Sequence, residues 1–187
     1  MWGISFPTTG NPVGLDLPSA QHVATVALDA SVLINFLILN RVDVLANLSG
    51  HRFVVLDAVE QEVLRPRQQA TLAAAFDQRL VDRVGAATPG ELEIFAEHRK
   101  MMGLGEAACL AAAEIRGWML ASDERRVFRR VARVRIGDAR ILTTPGILVL
   151  AVGGGVISVE ELRGAREELE RNRFTVPSAA YGGLLEE

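Results

Sequence analysis

Five acidic residues stand where they can act together: Asp29, Glu62, Glu106 and the adjacent pair Asp123 and Glu124. Asp29 closes the apolar, β-branched run "VATVAL", and a carboxylate at the end of a buried strand is costly unless a positive or hydrogen-bonding group meets it. Glu62 follows the run "RFVVLDAV", Glu106 lies among small apolar residues in "GLGEAACLAAA", and Asp123 and Glu124 follow "WMLAS". Clustered carboxylates raise one another's pKa unless a divalent cation neutralises them. Oxygen-only clusters suit Mg2+ or Mn2+, which keep waters for substrate phosphates. A pair of such ions can activate a water and stabilise the leaving oxygen of a phosphodiester.

Each acid also has a purely structural reading. Asp29, helped by Ser31, can cap a helix; Glu62 can be a solvated helix residue; Glu106 can favour a helix N-terminus, as can Asp123 or Glu124 after a capping Ser122. The set weighs against these readings, because four separate elements deliver acids to the strand ends, where an open α/β sheet collects its ligands. Helical phase aligns Glu124 with Val127, Phe128 and Val131, and Asp123 with Val127 alone, which leaves the choice within the pair open.

The elements that must position these acids alternate along the chain. Val23 to Leu28 reads as a central strand, apolar on both faces, and "SVLINFLILNRVDVLANLSG" follows with helical spacing to Gly50. "RFVVL" is a second strand running into Asp57, which can cap the helix "AVEQEVLR" with Glu60 in capping-box position. Thr88, Pro89 and Glu91 start a further helix, which Gly103 and Gly105 end before "EAACLAAAEIRG". "WMLAS" is a strand leading to the helix "DERRVFRRVARV"; "ARILTTPGILVLAVGGG" gives a short strand, a turn and a short helix; Ser158 with Glu161 caps a last helix. Such alternation predicts a parallel sheet with helices on both faces.

The bulk numbers narrow the function classes. A chain of 187 residues suits one domain with tails, and a net charge of -3 gives no global attraction to nucleic acid, so a polyanion needs a local basic patch or a metal. The single cysteine, Cys109, excludes an intrachain disulfide and fits a reducing cytoplasm. His22, His51 and His98 are far apart and without spaced companions, so they read as surface or helix-face residues rather than zinc ligands. The proline- and glycine-rich start reads as a flexible arm rather than a signal peptide, and "GILVLAVGGG" is too short to cross a bilayer. No membrane association is expected.

Five stretches in order, "LDASVLINFL", "VVLDAVEQEV", "GLGEAACLAAA", "LASDERRVFRRVA" and "TTPGILVLAVGGGVI", resemble the PIN domain, the metal-dependent ribonuclease fold of VapC-type toxins, in the branch described as predicted nucleic-acid-binding proteins. The tail "RNRFTVPSAAYGGLLEE" resembles that branch's usual ending. The resemblance implies an α/β fold, a three-layer α/β/α PIN-like architecture with a central parallel sheet. It gives an arm over residues 1–22, a PIN-like domain over 23–157, and a C-terminal helical extension over 158–187 packed on the same domain. Carried over by position, it makes Asp29 the central metal ligand, Glu62 an assisting acid, Glu106 the acid opening the helix before the third strand, and Asp123 the acid after that strand, with Glu124 as a rival ligand. Ser31 and Thr144 match polar positions near the family's site. A cytoplasmic Mg2+- or Mn2+-dependent endoribonuclease is the expectation, with a toxin role, an antitoxin partner and a homodimer among the family's usual features.

Arg125, Arg126, Arg129, Arg130 and Arg133 fall on one side of their helix, opposite Val127, Phe128, Val131 and Val134. They read either as a solvated face or as a phosphate-contacting patch for RNA, or as the dock of an acidic antitoxin segment. Two rivals accompany the nuclease. One is a catalytically weak or inactive PIN-like module that binds nucleic acid or protein, motivated by the ambiguous "DE"; the other, weaker, is a phosphatase with an aspartyl nucleophile, which has Ser31 where a second acid is usual.

Overall fold

The structure is a computed structural model describing residues 23–85 and 87–185. The arm expected over residues 1–22, with His22, lies outside the described residues. Five strands form one wholly parallel sheet: β1 (Ala24–Leu28), β2 (His51–Leu56), β3 (Asp82–Val84), β4 (Met119–Ala121) and β5 (Ile141–Leu142), in the order β3-β2-β1-β4-β5. Val26, Ala27 and Leu28 of β1 are fully buried, as a central strand covered on both faces requires.

Helix α1 (Ala30–Leu39) and short α2 (Val42–Ala46) connect β1 to β2, and α3 (Asp57–Glu60) and α4 (Pro66–Asp77) connect β2 to β3. The chain then returns through α5 (Pro89–His98) and α6 (Leu104–Arg116) to β4, and α7 (Arg126–Ile136) leads to β5. After β5 come α8 (Thr144–Gly153) and α9 (Val159–Arg171). Right-handed crossovers put the helices of the two travel directions on opposite faces. Accordingly α1 packs with α4 and α9, α8 packs with α9, and α6 packs with α3, α5 and α7. The result is the three-layer α/β/α architecture expected from the alternation.

Several local expectations are corrected. The long helix after β1 breaks at Asn40, whose left-handed backbone (φ 53°) ends α1 and turns the chain into α2. No capping box forms at Asp57: it is the first residue of a one-turn helix, and Glu60 instead pairs with Arg83 of β3 at 2.7 Å. The helix expected over "AVEQEVLR" ends at Glu60; Arg65 is held extended before Pro66, at which α4 starts afresh. Gly103, not Gly105, marks the boundary before α6, and Gly105 lies inside the helix. The buried stripe of α7 is Phe128, Ala132 and Ile136, whereas Val127 and Val134 are exposed. His98 is fully buried, its Nε2 2.6 Å from Glu114 Oε1, and so is not a surface residue.

The capping boxes at Thr88 with Glu91 and at Ser158 with Glu161 are both formed. α4 and the edge strand β3 have no counterpart in the sequence reading: α4 is a mostly exposed helix with few buried positions, and β3 has only three residues. Among the described residues no helix is long and apolar enough to cross a membrane.

Candidate functional site

From β1 the chain passes to β2 on one side of the sheet, while β4 pairs with β1 on the other side. The strand order therefore reverses between β1 and β4, and the carboxyl ends of that pair face a crevice suited to ligands. Asp29 follows β1 directly and Ser122 and Asp123 follow β4. The Asp29 amide donates to Ala121 O at 2.9 Å, which continues the sheet pairing and fixes the two strand ends against each other.

Asp29 is 2% exposed and occupies the N-cap position of α1, yet its carboxylate caps no amide of that helix. Its Oδ2 instead accepts from Ser31 Oγ at 2.6 Å and Ser122 Oγ at 3.0 Å. Ser31 Oγ in turn accepts from the Asp123 amide at 3.1 Å. The Asp123 carboxylate is pinned more firmly: Oδ1 accepts from the Thr144 amide at 2.8 Å, and Oδ2 from Thr144 Oγ1 at 2.5 Å and Asn35 Nδ2 at 3.0 Å. The choice within the pair, which helical phase left open, is made by a contact outside any helix. α7 begins only at Arg126, so neither acid has a helical phase, and Glu124 is exposed while Asp123 turns into the Asn35–Thr144 pocket.

Asn35 is the residue that sequence reading missed. It is 5% exposed, and its Nδ2 also donates to Thr144 Oγ1 at 3.1 Å. The signal was present: in the apolar helix "ASVLINFLIL" only Ser31 and Asn35 are polar, and their four-residue spacing puts both on one face.

Glu62 and Glu106 approach from the N-terminus of α6. Glu106 Oε2 accepts from the Gly103 amide at 2.7 Å, so the helix-start reading of this residue is realised in part. Glu62, on the turn leaving α3 rather than within a helix, accepts from the Gly105 amide at 2.7 Å. A Cβ at position 105 would stand 2.9 Å from Glu62 Oε2, so glycine is what lets the α6 amide reach this carboxylate.

Electrostatically the acids form one uncompensated group. Among the described residues none of the five forms an ion pair, whereas thirteen other pairs occur in the chain. Burial pushes Glu106 above the usual carboxylate range, against the Gly103 hydrogen bond, and repulsion from Asp29, Glu124 and Glu62 adds to the rise. Burial likewise raises Asp123 despite its bonds to Thr144 and Asn35, with Asp29 contributing. Cys109, fully buried with Sγ 3.4 Å from Leu28 O, is pushed well up by burial and then by Asp29, Glu62 and Glu106, and is an inert thiol beneath the acids.

The donor set fits a hard divalent cation in kind. All donors are oxygens, and among the described residues Asp29 Oδ1, Glu106 Oε1 and Glu62 Oε2 accept no hydrogen bond, while Asp123 Oδ1 accepts one. Among the described residues, however, no three acids stand close enough together to hold an ion. Of the arginines, Arg125 and Arg129 line a cleft beside Asp123 and Glu124; Arg126 and Arg130 do not.

A family model described as a PIN domain matches residues 25–187. No curated protein matches the chain.

Proposed function

The chain belongs to the PIN-domain family, whose members are generally nucleases, and on that premise we propose that it is a Mg2+- or Mn2+-dependent endoribonuclease. The observation that carries this reading is the group of unpaired carboxylates at the β1–β4 switch point, delivered by four separate elements, with Asp29 and Asp123 joined through Ser31 and with Glu62 and Glu106 held by the first amides at the start of α6. Asp29, Glu106 and Asp123 would hold the cation, with Glu62 assisting and Glu124 at the rim. A bound divalent ion supplies Lewis acidity at a phosphoryl oxygen and lowers the pKa of water.

The chain's own residues supply orientation. Ser31 and Ser122 fix Asp29 by one oxygen and leave the other without a hydrogen bond among the described residues. Asn35 and Thr144 hold Asp123, and hydrogen bonds of this kind behind a ligand set its direction and basicity. Glu62, held by the Gly105 amide, would accept a proton from an attacking water. A toxin role, an antitoxin partner, a homodimer and a cytoplasmic location extend the same family reading. So does the division into an arm, a PIN-like core and the C-terminal extension.

A second reading, a PIN-like binding module without turnover, rests on the absence of three acids at ion-holding distance among the described residues. Calorimetry of Mn2+ binding to wild type and Asp29→Asn, with cleavage of a mixed single-stranded RNA on the same samples, separates the two. The nuclease reading expects binding and cleavage in the wild type and loss of both in the variant. A folded wild type that binds RNA in chelator but neither binds Mn2+ nor cleaves supports the module.

A further inference from the structure

A cleft of about 500 Å3 opens beside the acids. One wall is α7 with the residue before it: Arg129 and Arg133, four residues apart, form one stripe on the helix, and Arg125, the extended residue that precedes α7, lines the cleft beside them. The opposite wall is the segment after α9, which contributes Arg173 and Phe174, and the floor reaches Asp123 and Glu124. The arginines of α7 are thus divided by the fold: this stripe faces the cleft, while Arg135 is occupied by Glu97 at 2.8 Å and Glu114 at 3.6 Å.

The cations on the two walls are available to a ligand. Arg125 and Arg173 form no ion pair among the described residues, and Arg129 and Arg133 share only the exposed Asp138, each at 3.0 Å. Exposed pairs of that kind contribute little, so an incoming anion can take the place of Asp138. Phe174 is half-buried, packed against the core, and lines the cleft.

We propose that this cleft is the channel for a single-stranded nucleic acid, with Arg125, Arg129, Arg133 and Arg173 holding backbone phosphates and Phe174 offering its ring to one unstacked base. The proposal rests on the nuclease reading of the neighbouring acids. Cationic walls that track a backbone, combined with an aromatic face, suit a single strand, because a duplex keeps its bases stacked on one another. The C-terminal extension thereby becomes part of the substrate site.

The test is fluorescence anisotropy with a labelled uridine dodecamer in chelator, over a salt series, beside Mn2+-dependent cleavage of the same RNA. Arg173→Glu and Arg133→Glu are each expected to weaken binding about tenfold and to reduce the salt slope by about one, and Phe174→Ala to weaken binding with the slope retained. Arg52→Glu, at the opposite end of the sheet, serves as the control that keeps wild-type binding. Unchanged binding in all three cleft variants, when the wild type binds and cleaves, overturns the channel and leaves the nuclease reading standing. A preference for duplex RNA, or stronger competition by polyglutamate than by unlabelled RNA, also overturns it, the latter in favour of an acidic protein segment. Absence of both binding and cleavage in a folded wild type removes the channel and the nuclease reading together.

Discussion

The Ser31 hydroxyl meets the Asp123 amide at 3.1 Å while donating to Asp29 at 2.6 Å, so one side chain of α1 ties together the acids that follow two neighbouring strands. Removing that hydroxyl leaves the Asp123 amide without its partner and Asp29 with Ser122 alone. Ser31→Ala is expected to lower stability by about 1–3 kcal/mol and Mn2+ affinity by about 10–100-fold, with Ser31→Thr close to wild type. Denaturant titration and calorimetry measure the two effects. Lost stability with full Mn2+ affinity would reduce Ser31 to a packing role.

Asp123 and Glu124 are adjacent but differ in environment, the first held by Thr144 and Asn35 and the second exposed. Asp123→Asn is expected to abolish Mn2+ binding and RNA cleavage, and Glu124→Gln to leave both near the wild-type level. The reverse pattern would make the exposed glutamate the ligand and Asp123 a structural anchor of α8.

Burial holds Glu106 and Asp123 above the usual carboxylate range. In the window between the unfolded and the raised folded pKa values, the folded chain carries more protons than the unfolded one. These groups therefore contribute stability that is full below the unfolded value and lost as pH rises through the folded value. A divalent cation competes with the same protons. Mn2+ is expected to raise the melting temperature more at neutral pH than in mild acid, with proton release on binding. Calorimetry in buffers of different ionisation enthalpy reads that release. Equal stabilisation at both pH values would mean that the cation sits elsewhere.

Much of the sheet was legible in the chain. The runs ending at Leu28, Leu56 and Ala121 are apolar because parallel strands are covered on both faces, and the caps at Thr88 and Ser158 depend only on residues three apart. Less legible were β3 and α4, since an edge strand of three residues and a mostly exposed helix bury too little to leave a pattern. The fate of His98 was hidden for a related reason: only the packing of α6 against α5 brings Glu114 to it and closes His98 from water.

Consecutive residues sufficed to tell which residue types stand after which strands, because local propensity and hydrophobic period are properties of short stretches. They therefore specified the acids, the alternation and the family resemblance. Packing across the fold turned Asp123 rather than Glu124 inward, brought Asn35 to it, and split the arginines between cleft, ion pair and solvent. Those outcomes depend on contacts that no local pattern encodes, between residues distant in the chain, from 38 positions for Arg135 with Glu97 to 92 for Ser31 with Asp123 and 109 for Asn35 with Thr144.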